Sequence, residues 1–447
     1  MRFLITCWPF EGHVFPQMAV AQALRARGHE VAFYSGEPVR ALVEAAGVPF
    51  FPFADLDERA YQRVQAREAE SGMRRQSLRV EHQAFRNWLV ETIPAQVSDL
   101  RRILRRWRAD VLVSDLTMWG PLLVLWQADG IPVAGSSTFL GPMIPGPQAP
   151  PWGFGLGPAR GLSGRLRDRM LDGVVSVAAR GLRRRVDEIR ADHGLGPLGM
   201  SVNAFTGRLP LYLVPSLREI DYHRDDLPPS VHYVGPCPWF PPTTQTESGW
   251  LRSVPQDVPW VHVTEGTSHY QDPFLLRAAS SGLAGAPVRM IGTTGASRDP
   301  DRLGLGTPAA NIHLTRWLSH DALLPRCSVV VTTGGPATIL AALGAGVPLV
   351  VVPTTWDKPD NARRIVERGL GVSLRPGRCT PNRLRTAVLE VLEVPSYQEN
   401  ARAVARALAA APGAARSAEL LEQLGATSPS PTVTSPTPDH HASGRDR

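Results

Sequence analysis

Lysine is almost absent from this chain of 447 residues: of 48 Lys and Arg, Lys358 is the only lysine. A general replacement of Lys by Arg accounts for the background but not for the survivor. A guanidinium is a planar fork and an ammonium a compact, strongly hydrated point charge, so a site that needs the second does not readily accept the first. Chance survival on a solvated loop is the competing account. Cysteine is scarce as well. Cys7, Cys237, Cys327 and Cys379 lie far apart without a CxxC pair, which argues against zinc-ligand spacing and fits a reduced, cytoplasmic protein. No apolar run approaches the ~18 residues of a membrane span. The opening Arg2-Phe-Leu-Ile-Thr-Cys-Trp-Pro9 is too short for a signal peptide and reads as a strand. Neither a Walker loop nor a GxGxxG motif is present, so ATP hydrolysis and dinucleotide binding lose support.

What remains is ordinary globular material, 43% apolar and 20% charged, long enough for two domains. The net charge of +7 is spread over helix-like stretches such as Arg101-Arg102 and Arg183-Arg184-Arg185. With no RNA-binding aromatic signature beside them, these are solvated helix faces rather than a nucleic-acid surface.

Apolar β-branched runs alternate with helical spacing in two series, which predicts an α/β protein with parallel sheets covered on both faces. In the first, strands are expected at Phe3 to Trp8, Glu30 to Ser35, Val111 to Ser114 and Ile131 to Ala134. Residues 55–108 read as a long helical insertion over a cleft, and Gly141 to Gly157 as a mobile loop with binding potential. In the second, strands are expected at Val261 to Thr264, Val288 to Gly292, Ile312 to Leu314, Ser328 to Thr332 and Leu349 to Pro353. The expected boundaries are 1–233 for the N-terminal domain, 234–256 for a Pro-rich linker and 257–424 for the C-terminal domain with its final helix. Residues 425–447 form a tail without periodicity, expected to be disordered.

Ligands of open parallel sheets lie beyond the carboxyl ends of the strands. In Ser328-Val-Val-Val-Thr-Thr-Gly-Gly-Pro-Ala-Thr338 a strand turns through Gly334 and Gly335 into a helix opened by Pro336, exposing amides to an anion, with Thr338 in the first turn. Turn chemistry alone is the rival account. The next strand leads into Asp357, Lys358 and Asn361. A cation just before a helix N-terminus is unfavourable unless an anion lies nearby, and Asp357 suits sugar hydroxyls or a helix cap. Trp317, after another strand, suits a nucleobase face or an interface.

The run from Trp317 to Asn361, with Leu323-Leu324, Gly334-Gly335, Thr338, Gly346-Val-Pro348, Pro353 and Asp357, resembles the donor signature of the nucleotide-sugar-dependent family 1 glycosyltransferases. It looks most like those of actinobacterial natural-product pathways. Gly12-His13-Val14 with Pro16, Arg27-Gly28-His29, and Val263-Thr-Glu-Gly-Thr267 match further parts, so the likeness spans about residues 1–424. It implies the GT-B fold, two Rossmann-like domains facing across a cleft, and metal-independent inverting transfer with a UDP- or dTDP-sugar as co-substrate and no other cofactor. The donor would meet Gly266, Thr267, Trp317, Thr333, Gly334, Gly335, Thr338, Asp357, Lys358 and Asn361. The chain departs from the family where Thr333 replaces the usual His, Lys358 the usual Gln and His320 a common Gln, and where Glu265 precedes the Gly-Thr pair. A cation gained at 358 is expected to offset the donor lost at 333.

Chemistry and resemblance meet at His13. An attacking hydroxyl needs a base that titrates near neutral pH, and His13 follows the first strand. Asp115 ends another strand and either orients His13 or caps the helical stretch after it. Trp88, Trp119, Phe139 and Trp152, with Phe154, would wall an apolar acceptor, although core packing competes for each. The reading is a monomeric or weakly dimeric hexosyltransferase of antibiotic biosynthesis, acting on a hydrophobic aglycone without nucleic acid or membrane insertion. Two alternatives stay open: a weakly catalytic auxiliary protein for a partner transferase, and a sugar-nucleotide epimerase or hydrolase.

Overall fold

The computed structural model describes residues 1–71, 83–241, 249–266, 272–295 and 298–427. Strands β1 (Arg2–Thr6), β2 (Glu30–Ser35), β3 (Phe50–Pro52), β4 (Val111–Asp115), β5 (Val133–Ser136), β6 (Leu211–Val214) and β7 (Val231–Tyr233) form one sheet. Its order is β3-β2-β1-β4-β5-β6-β7. Strands β8 (Trp260–Thr264), β9 (Arg289–Thr293), β10 (Ile312–Thr315), β11 (Cys327–Thr332), β12 (Leu349–Val351) and β13 (Gly371–Ser373) form the other, in the order β10-β9-β8-β11-β12-β13. Every pairing is parallel.

Each sheet carries apolar layers on both faces. Along β1, Phe3 and Ile5 join a layer with Val14 and Met18, while Leu4 joins the opposite layer with Val97 and Leu100. A strand covered on both sides reads as an unbroken apolar run, so the long central strands were predictable. Four strands, β3, β6, β7 and β13, were not expected; each spans three or four residues and takes its place by pairing with a neighbour.

The strand order reverses between β1 and β4 in one sheet and between β8 and β11 in the other. A crevice opens at the carboxyl ends of such strands, and doubly wound sheets bind ligands there. Of the expected donor and base residues that are described, all but Trp317, which follows β10, lie at the ends of these strands and of β12 or in the loops and first helical turns after them.

The chain crosses between the sheets twice, side by side. It leaves β7 through a Pro-rich passage and returns at 411–413, where the Gly413 N–H donates to the Val234 carbonyl at 2.8 Å. At Gly413 (φ +56°) a Cβ would lie 2.2 Å from the Pro236 oxygen, so only glycine lets the crossings touch. The return leads into the helix Ala414–Thr427, which packs on the first sheet and not, as its place in the chain suggested, on the second. Ala418, Leu421 and Leu424 enter the layer of Val14 and Met18. Its Glu422 carboxylate accepts two hydrogen bonds from Arg27, both at 2.7 Å, and lies 2.6 Å from His29 Nε2. Arg27-Gly28-His29 therefore clasps the last helix. Of the expected disordered tail, 425–427 are helical and 428–447 lie outside the described residues. Among the described residues, no helix is long and apolar enough to cross a membrane.

The bonds from Arg27, helped by His29, hold the Glu422 carboxyl down to about 2. A carboxylate depressed on folding contributes stability above its unfolded pKa and loses it as pH falls through the folded one. Glu422→Gln should therefore lower the urea midpoint at neutral pH. The gap to the unsubstituted protein should stay full above roughly pH 5 and narrow below it, as read from urea melts across that range.

Candidate active site

The chain leaves β1 through Pro9 and Phe10 and enters the helix Glu11–Ala26 at once, so His13 sits in its first turn at the carboxyl end of β1. Strand β4 is the hydrogen-bonded neighbour of β1, with Ser114 opposite Thr6, and it ends on Asp115. Adjacent parallel strands thus bring two residues distant in sequence into contact: His13 Nδ1–H donates to Asp115 Oδ2. Asp115 is fully buried and the His13 side chain keeps 20% exposure. The other Asp115 oxygen accepts the Thr117 N–H at 2.8 Å and its hydroxyl at 2.7 Å. The role of orienting His13 is therefore filled by one oxygen, while the other closes the turn at Leu116–Thr117; the helical stretch that follows carries no side-chain cap from Asp115.

Burial pulls the His13 imidazole toward its neutral form. The charge and hydrogen bond of Asp115 outweigh it, Asp357 adds to them, and the pKa ends above the ordinary histidine value. Burial works to raise Asp115, but His13 and Thr117 prevail and hold its carboxyl below the usual range. With Nδ1 committed to Asp115, Nε2 is the nitrogen left to take a proton.

Across the cleft, β11 and β12 are neighbours and their loops touch. Gly334 has φ +95°, and a Cβ there would lie 3.0 Å from Val351 Cγ1 and 3.4 Å from Lys358 Cβ. The next residue, Gly335, caps the helix Pro336–Gly344, whose first turn holds the buried Thr338. Asn361 staples the two loops: its amide donates to the Gly334 carbonyl at 3.0 Å and to Asp357 at 2.7 Å. The Asn361 Oδ1 is buried without a partner. Burial pushes the Asp357 carboxyl up, with Asn361 and Lys358 only partly offsetting it.

Lys358 opens the helix Lys358–Glu367 and is 7% exposed, so it does not stand on a solvated loop. Its ammonium donates to Thr354 Oγ1 at 3.1 Å. Thr333 lies at the donor loop, but its hydroxyl donates to the Glu265 carbonyl at 3.0 Å and joins two loops instead of facing outward. Glu265 turns away from Gly266: it pairs with Arg298 at 3.0 Å and accepts the Leu275 N–H at 3.2 Å. Gly266 (φ +75°) lies in the loop after β8, and Thr267 lies outside the described residues. Trp317, two residues after β10, is 37% exposed.

Of the residues expected to wall an acceptor, Trp88 lies in an aromatic cluster with Trp8 at 5.5 Å and Phe10 at 5.9 Å, and Phe10 meets His13 at 5.2 Å. Phe139 and Trp152 contact each other edge-on at 5.9 Å, and with Trp119 they flank the same apolar layer. Phe154 is 45% exposed. The segment expected to be a mobile loop is docked onto the second domain, because Asp360 accepts the N–H groups of Gly153 and Gly155 at 2.6 and 2.7 Å. Sequence reasoning missed Asp360, the Asp221–Arg364 ion pair at 2.6 Å and Trp356. Asp360 reads in sequence as a first-turn helix acid, and nothing local to Asp221 or Trp356 announces a partner in the other domain.

Residues 298–424 match the family described as erythromycin biosynthesis protein CIII-like, C-terminal domain. The chain is 34% identical to the 4'-demethylrebeccamycin synthase of Lentzea aerocolonigenes over 426 residues, 95% of this chain and 99% of that one. It is 30% identical to a PGL/p-HBAD biosynthesis glycosyltransferase of Mycobacterium tuberculosis over 330 residues, 71% of each chain. The crystal structure of the calicheamicin glycosyltransferase CalG4 superposes with a TM-score of 0.74 at 21% identity, covering 96% of this chain and 99% of that one.

The imidazole pair makes a prediction independent of any reaction. The His13 signal, assigned by comparison with His13→Ala, should titrate above about 6.5 in NMR. In Asp115→Asn it should titrate lower, because burial remains while the opposing charge is gone. An unchanged midpoint would mean that Asp115 serves only to close the turn at Thr117.

Proposed function

The chain belongs to the nucleotide-sugar glycosyltransferases of the GT-B fold, and on that premise we propose that it transfers a hexose from a UDP- or dTDP-sugar to a hydroxyl of a hydrophobic aglycone in antibiotic biosynthesis. The observation that carries the reading is the His13–Asp115 pair at the reversal point of the first sheet, with Asp357 of the donor loop close enough for its charge to act on His13. Base and donor loop come from different domains and meet at one place.

In the proposed step the acceptor hydroxyl gives its proton to His13 Nε2 as its oxygen bonds to the anomeric carbon. The bond from that carbon to the phosphate oxygen breaks on the opposite face, and the nucleoside diphosphate leaves with the electron pair, inverting the centre. Asp115 holds the imidazole and stabilises the imidazolium. Amides at Gly334 and Gly335, the Thr338 hydroxyl and the Lys358 ammonium receive the charge that develops on the leaving group. Asp357 accepts sugar hydroxyls, Asn361 keeps the two donor loops in register, and Trp317 stacks on the base. Trp88, Phe139 and Trp152 border the aglycone. The fully formed His13–Asp115 pair favours this reading over an auxiliary protein without turnover.

Incubation with a panel of UDP- and dTDP-sugars and a phenolic acceptor tests the reading; free sugar without glycoside would point to hydrolysis instead. His13→Ala should lower kcat by about a hundredfold or more while donor affinity holds, the scale typical of a general base. An unchanged kcat at saturation would remove His13 from the mechanism. Transfer should also persist in excess EDTA, because amides, hydroxyls and one ammonium supply the proposed leaving-group contacts. Loss of activity restored by Mg²⁺ or Mn²⁺ would overturn that part.

A further inference from the structure

Between β12 and the helix Lys358–Glu367 the loop carries a residue that the donor side does not use. Trp356 has φ +64° and is the one non-glycine residue with positive φ among those described. For a bulky side chain that conformation is sterically costly and persists only where the surroundings impose it. Glycine adopts it freely, so a residue that merely closed the loop would have no reason to be tryptophan.

The indole leaves its own domain. Its ring lies 4.7 Å from Phe85 and 5.6 Å from Trp88, perpendicular to the latter at 89°. Trp88 meets Phe10, and Phe10 meets His13, so an aromatic path runs from the donor-domain loop to the base. The residue after Trp356 is Asp357, whose charge reaches His13. Within this cluster the Trp88 side chain is deeply buried, with the residue 6% exposed, and its indole N–H has no partner. Buried donors are normally satisfied, so this N–H is a spare donor within the aromatic cluster.

We propose that Trp356 is a specificity-determining residue for the acceptor: carried by the donor domain, it completes the aromatic wall beside His13 and selects planar aromatic acceptors over saturated ones of similar size. The proposal rests on the glycosyl-transfer reading of that cleft. Ring faces and edges attract one another beyond simple area burial, which a saturated ring of equal volume cannot reproduce. Because the wall comes from the other domain, the acceptor site is complete only while the domains are docked through Asp360 with Gly153 and Gly155, and Arg364 with Asp221.

The test compares 2-naphthol with decahydro-2-naphthol, binding being measured by calorimetry on the full chain and on Trp356→Leu and Trp356→Phe. The unsubstituted protein should prefer 2-naphthol. Trp356→Leu should lose about tenfold or more in 2-naphthol affinity and little for the saturated alcohol, while Trp356→Phe keeps most of the preference. Affinity for UDP or dTDP, whichever binds, should hold within about twofold in both variants, showing the donor loop intact. Equal 2-naphthol affinity in Trp356→Leu, or a parallel loss of nucleotide binding, would overturn the proposal and leave Trp356 a structural plug. Binding is read without turnover, so an inactive enzyme would refute the transfer reading and not this one.

Discussion

The cleft depends on one buried ion pair. Asp221 follows the sixth strand of the first sheet, Arg364 lies on the helix that begins at Lys358, and both are almost fully buried where the domains meet. Withdrawing two charges from water is expensive, and such a pair is a weak source of net stability, but breaking it strands a charge at a cost of about 3–5 kcal/mol. Its value here is positional. Asp221 also accepts from the Tyr233 hydroxyl and the Tyr222 N–H, and Arg364 lies over the Tyr222 ring at 4.6 Å. Gly141 passes so close that a Cβ would meet Arg364 Nη2 and Asp221 Oδ1 at 2.7 Å. Charge, ring and glycine together leave the domains one way to dock.

Everything carried by the helix Lys358–Glu367 inherits that docking. Its Asp360 holds the loop of Gly153 and Gly155, its Asn361 binds the loop of Gly334, and Trp356 just before it reaches the aromatic cluster of the first domain. One helix thus holds the Gly334 loop, the Gly153–Gly155 loop and the domain interface at once. The lone lysine is understandable there. Lys358 is buried at the start of this helix, its Cβ is close to the place a side chain at Gly334 would need, and its ammonium reaches Thr354. A planar guanidinium asks for more room and a fork of acceptors.

Two departures from the family pattern look different once placed. Glu265, odd beside an anion-binding turn, is turned inward onto Arg298 and a helix amide. Thr333 donates its hydroxyl to the neighbouring loop, so the backbone and not the side chain of this position is what a ligand on that loop would meet.

The sequence by itself determined the parallel α/β architecture, the long central strands and the loops that carry His13, Asp115, Gly334, Gly335, Asp357 and Asn361. These are local properties: an apolar run buried on both faces has a readable pattern, and ligand loops follow strand ends. Tertiary structure decided that β3, β6, β7 and β13 are strands, since each is defined by the neighbouring edge it pairs with. It also decided that the last helix returns to the first sheet, that the loop at 153–155 is docked, that both Asp115 oxygens are occupied, and that Trp356 crosses the cleft. Apart from the Thr117 bond, each of these is a contact between residues far apart in the chain, made within one sheet or where the domains meet, and neither spacing nor composition encodes it in any one segment.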